Sequence, residues 1–163
     1  MQIAVHHRRS VLSRTRQRDD RSGVGLGVIL GAGTVTAKDT QRSEFQKARD
    51  LSESLCPGRF MHHMLLDYAG WDDADWSERA VKQIDEGYRL GAAGLKEFKR
   101  LGLFLKDRSG ALIRIDDPKL DSVYRRCGEL AMPVTSLFLA NRTWLHVGSF
   151  SLVLTTSHLK LGS

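Results

Sequence analysis

The residues that could do chemistry fall in four places along this 163-residue chain. His62 and His63 stand side by side, with Asp67 further along the same run. Asp72, Asp73, Asp75 and Glu78 crowd the turn that follows. Gly31 and Gly33 open a glycine-rich run ending at Ala37, with Asp50 beyond it. Lys96 lies in the short run GLKEFK.

Each pattern points to a different chemistry. A pair of histidines suggests a metal site. His62 and His63 lie in RFMHHMLLDY, residues 59–68, which reads as a strand. Neighbours on a strand face opposite ways, so the two cannot share one ion. His63 does share a face with Asp67, but at about 3.3 Å per residue the two are roughly 13 Å apart. His63 therefore stands alone as a candidate metal ligand, against the plainer reading of a buried, hydrogen-bonded histidine. The acidic run could hold a hard cation. It lacks His or Cys partners, and it also suits the positive end of a helix. Glycines between a strand and a helix can cradle a pyrophosphate. The run from Gly31 to Ala37 is not GxGxxG, and its possible ribose partner Asp50 falls inside a predicted helix. That context favours a glycine-rich turn over nucleotide binding.

The elements that must position these residues alternate between strand and helix. VGLGVIL, residues 24–30, reads as a buried strand. A helix follows from about Asp39 to Leu55, with Phe45, Ala48, Leu51 and Leu55 on its apolar side and Pro57-Gly58 as its stop. After the 59–68 strand, a helix runs from Trp76 to about Leu90. Asp75 and Glu78 form a capping box for it, and Trp76, Ala80, Ile84 and Tyr88 its buried stripe. Gly87 is a flaw in that helix, and Gly91 is its stop. GLKEFK, residues 94–99, is the third strand, with Lys96 and Phe98 on one face and Leu95 and Glu97 on the other. LFLKDRSGALIRID forms two short strands around Asp107–Gly110. Asp117 caps a further helix with Pro118 in its first position, and Leu120, Val123, Tyr124, Cys127 and Leu130 as its stripe. Met132-Pro133-Val134 begins another strand.

Length and composition fit one globular α/β domain, 41% hydrophobic and 27% charged. No apolar run nears the roughly 20 residues of a membrane span. The start lacks the apolar stretch of a secretory signal. The formal net charge is +6. Six arginines and two aspartates within residues 1–22 supply four of those six charges, so the rest is nearly balanced and nucleic acid is not the expected partner. Residues 1–22 read as a disordered basic tail in which His6 and His7 have no ligand company. Cys56 and Cys127 read as reduced core residues of a cytoplasmic protein.

PGRF, GYRLGAAGLKEFKRLGL, DRSGALIRIDDPKLD and RRCGELAMPV together resemble the metal-dependent amidohydrolase family typified by aminocarboxymuconate-semialdehyde decarboxylase, over roughly residues 57–134. The resemblance implies an eight-stranded β/α barrel with zinc or another divalent metal. It implies hydrolysis of an amide, ester or related bond, or decarboxylation, of a small-molecule substrate. Lys96 matches the family's strand lysine and is the candidate substrate-binding residue. Its plainer reading is a lysine whose head reaches solvent at a strand end. The metal ligands do not carry over. There is no His-x-His, and the histidine expected after Pro-Val stands at Leu137. His146 and His158 lack partners, and no Asp or Glu follows Glu129. A barrel needs about 200 residues or more.

The chain is therefore expected to be an incomplete TIM-barrel-like fragment of four to five parallel strand–helix units with a small hairpin. It would comprise a tail at 1–22, a partial domain at 23–134 and a divergent segment at 135–163, the last expected from a disrupted reading frame. Such a fragment is expected to be inactive alone and to self-associate through open sheet edges. A non-catalytic α/β domain is the competing expectation.

Overall fold

A computed structural model describes residues 12, 14, 17, 20, 21, 23–37, 41–97 and 101–136. Among them four strands form one parallel sheet: β1 (Gly27–Thr34), β2 (Phe60–Leu65), β3 (Gly94–Glu97) and β4 (Val134–Ser136). The spatial order is β1-β2-β3-β4, the same as the chain order. Helices α1 (Glu44–Leu55), α2 (Trp76–Arg89) and α3 (Asp121–Glu129) make the crossovers, α3 entered through a 3₁₀ turn at Pro118–Leu120. Parallel neighbours need such crossovers, so the strand–helix alternation read from sequence dictates the sheet type.

Helices α1, α2 and α3 cover the same face. Residues 12, 14, 17, 20 and 21 are also helical, where a disordered tail was expected, and Asp20 accepts from Arg59 at 2.8 Å. β2 alternates, sending His62 and Met64 toward the helices and Met61 and His63 away from them. His62 meets Ser52 of α1. Met64 lies against Gly87 of α2, and Glu97 of β3 is close enough to act on Tyr124 and Cys127 of α3. Between the layers lies the core: Phe45, Met64, Leu66, Trp76, Ala80, Ile84, Leu95, Leu120, Val123 and Cys127 are all at most 1% exposed. Both cysteines are free and buried.

The boundaries differ from expectation for physical reasons. Gly31 and Gly33 take positive φ of 84° and 107°, which lets β1 continue through an irregularity between Leu30 and Thr34 rather than end at residue 30. α1 starts at Glu44 because Ser43 and Gln46 close a reciprocal capping box, which outweighs the earlier start expected near Asp39. Asp75 makes no side-chain cap bond, and its carboxylate lies 3.6 Å from Arg79 instead. Tyr88 is 52% exposed. A spacing of four drifts from the 3.6-residue turn, so three such steps carry Tyr88 about 120° away from Trp76. Asp117 caps the 3₁₀ turn, accepting from Lys119 N at 3.0 Å. The hairpin holds one antiparallel bridge, Lys106 with Leu112, rather than two strands.

Gly87, a flaw by helix propensity, takes the core position that Tyr88 misses. A Cβ there would stand 2.1 Å from Met64 Sδ, and Met64 is fully buried. Gly87→Ala is therefore expected to destabilise the fold by about 1–3 kcal/mol, although alanine favours a helix by up to about 1 kcal/mol. Urea unfolding of the two proteins checks the sign.

Candidate functional site

The face of the sheet away from the helices carries the polar residues of interest. Register places His63 opposite Gly94, and Lys96 opposite Thr135, so His63, Lys96 and Thr135 come from three adjacent strands and share that face. The His63 ring lies on Gly94, where a Cβ would stand 2.7 Å from both Cε1 and Nε2. With no side chain beneath it the ring reaches across β3, and Nδ1 comes within 3.2 Å of Thr135 Oγ1. Burial lowers the His63 pKa from its ordinary value, and the Lys96 ammonium lowers it further. Burial also lowers the Lys96 pKa, opposed by the Glu97 carboxylate.

Lys96 is 1% exposed, which corrects the reading of a lysine reaching solvent. Its position on the third strand is as expected, but it is buried there. Glu97 faces the other way, 2% exposed, and accepts from the Tyr68 hydroxyl at 2.8 Å. Thr135 was not singled out by sequence. The available signal was parity: it follows Pro133-Val134 in the strand beside Lys96.

His62 lies on the helix side. Ser52 Oγ is 2.6 Å from His62 Nε2 and also donates to the Arg49 carbonyl at 2.8 Å. A hydroxyl has one proton, so Ser52 must accept from Nε2–H. The pair therefore cannot act as a serine nucleophile with its base, and both residues are buried. Burial lowers the His62 pKa, Glu53 raises it and Arg49 lowers it.

The remaining candidates serve the fold. Gly33 packs against the start of α1, a Cβ there standing 2.7 Å from Glu44 Cβ. The glycine run is thus a close strand–helix approach, and the Ser43–Gln46 box already uses the helix N-terminus. Asp50 pairs with Arg42 and with Arg49. Asp72 accepts twice from the Arg108 backbone N–H, at 3.1 and 3.0 Å, which docks the hairpin on the loop after β2. Asp73 and Asp75 pair with Arg79. Among the described residues no three His, Cys, Asp or Glu side chains gather to hold a metal ion. His63 does not fit zinc: one ring nitrogen is spent on Thr135, the other edge is pressed on Gly94, and among the described residues no second ligand accompanies it. His6, His7, Leu137, His146 and His158 lie outside the described residues. Among the described residues no helix is long and apolar enough to cross a membrane.

No family model, curated protein or solved structure matches this chain.

Both histidines are held neutral by burial, so the unfolded chain binds protons more readily than the folded one near their ordinary value of 6.5. The stability this represents is present above pH 6.5 and is lost as pH falls through the lowered folded values. Thermal melts from pH 7.5 to 5 are expected to show a falling midpoint. His63→Gln, which can still bond Thr135, should flatten part of that fall; an unchanged slope in His63→Gln would count against a neutral buried His63.

Proposed function

We propose that this chain is one half of an amidohydrolase-type β/α barrel, a scaffold that carries no hydrolytic or decarboxylating activity by itself. The observation that carries the reading is the position of Lys96. From the third of four sequential parallel strands, it lies beside His63 and Thr135 on the face away from α1, α2 and α3. In a β/α barrel that side is the interior, and the strand C-terminal ends are where substrates are held. Lys96 is the residue assigned to the anionic part of a small-molecule substrate, its charge strengthened by desolvation.

The unfit surroundings of His63 separate scaffold from catalyst. Without imidazoles around an ion there is no metal-bound water of lowered pKa, and amide or ester attack lacks its nucleophile. The chain expressed in zinc-supplemented medium is expected to hold far less than one equivalent of zinc by elemental analysis. It should not accelerate hydrolysis of simple amides or esters over buffer. One zinc per chain that survives dialysis, with turnover abolished by His63→Ala, would overturn the scaffold reading.

A further inference from the structure

The hairpin after β3 holds two large apolar side chains outside the fold by construction. Ile113, 3% exposed, is bonded twice to the first arm. Its carbonyl accepts from the Gly102 N–H at 2.7 Å, and its own N–H donates to the Leu105 carbonyl at 2.9 Å. Both bonds close on one residue, so Leu103 and Phe104 are extra residues between them and loop outward, as in a bulge. Leu101 before the loop is buried and Leu105 after it packs on the core. Leu103 and Phe104 are 52% and 72% exposed. Gly102 turns the chain into the loop with φ of 76°, and a Cβ on it would meet nothing within 4 Å. The two side chains therefore stand on a convex rim, not in a groove.

Cations stand beside them. Lys106 pairs across the hairpin with the exposed Leu112, and Arg108 follows at the turn. Both are exposed, and among the described residues neither side chain forms an ion pair. The carboxylates of Asp72 and Asp107 are bonded to hairpin backbone N–H groups.

We propose that the Leu103–Phe104 loop is an anchor for an anionic lipid surface. The two side chains enter the interface of the bilayer, and Lys106 and Arg108 meet its headgroups. A stable protein interface takes about 20–30 residues a side, and this projection offers two or three apolar side chains. A bilayer needs no matching pocket. It takes Phe and Leu at the acyl boundary and favours Lys and Arg at an anionic surface. The net charge of +6 acts in the same direction. The anchor is independent of the barrel reading.

Flotation of the full chain with vesicles of equimolar phosphatidylcholine and phosphatidylserine tests this. The chain is expected to float with them, and much less with phosphatidylcholine alone. Phe104→Ser should weaken binding about 10-fold, and Lys106→Gln about 5-fold. Leu26→Ser, at a 54% exposed apolar position before β1, should leave it unchanged. All three sites are exposed, so thermal midpoints should hold. Insertion is read apart from attraction by the basic residues 1–22 with an environment-sensitive nitrobenzoxadiazole label. Cys56 and Cys127 are buried, so the label goes to an introduced thiol. On Phe104→Cys it should brighten and shift to the blue with the mixed vesicles; on Ser54→Cys, on the exposed side of α1, it should not. Undiminished binding of Phe104→Ser, or a label at position 104 that stays in water, would overturn the anchor. So would a chain that does not float, including one in which Phe104 seats in a soluble protein instead.

Discussion

Successive side chains of a strand must face opposite ways, and in β2 that rule divides the molecule in two. His62 and His63 differ by one position, yet one meets α1 and the other lies on the face away from α1, α2 and α3. Met64 then takes α2 on the covered side, and Met61 is left half exposed on the other. A slip of one residue in the β1–β2 register would exchange these sets. It would push Met61 into the helix layer and withdraw Met64 from the core. The face under α1, α2 and α3 holds the core, and the other carries His63, Lys96 and Thr135.

Two glycines make the layers close enough for this to work. Gly87 lets α2 settle on Met64, and Gly94 lets the His63 ring lie flat on β3. In both places backbone stands where a side chain would otherwise hold two elements apart. The site and the core are therefore built by the same device. Gly94 also has the Pro133 carbonyl 2.8 Å from where its Cβ would be, so β3 and β4 are tightly apposed at that level.

Much of this was legible in the sequence, and the misses have physical causes. Alternating strand and helix signals gave the parallel α/β class, and period-two parity put His62 and His63 on opposite faces and Lys96 opposite Glu97. The helix stripes found Ala80, Ile84, Val123 and Cys127. What sequence could not supply was pairing between segments far apart. Thr135 becomes a partner of His63 only through the β3–β4 register, and Ser52 finds His62 only once α1 folds back over β2. Acidic residues were misread in one respect for a related reason. Asp75 can cap α2 by its type, but Arg79 competes for the carboxylate and the backbone at Asp75 is not extended as a cap requires.

The end of β3 departs from what packing alone would select. Lys96 and Glu97 are adjacent, face opposite ways, and are each at most 2% exposed. Taking a charge out of water costs several kcal/mol, and apolar residues of similar volume often serve stability as well or better. Glu97 is partly compensated by the Tyr68 hydroxyl, and its carboxylate in turn favours the charged form of Lys96. The two charges support each other through the strand rather than across a surface. In parallel α/β sheets the C-terminal ends of strands are where ligands bind. The proposed assignment of Lys96 to an anionic group rests on that position at the strand end. Among the described residues no cluster of metal ligands accompanies it.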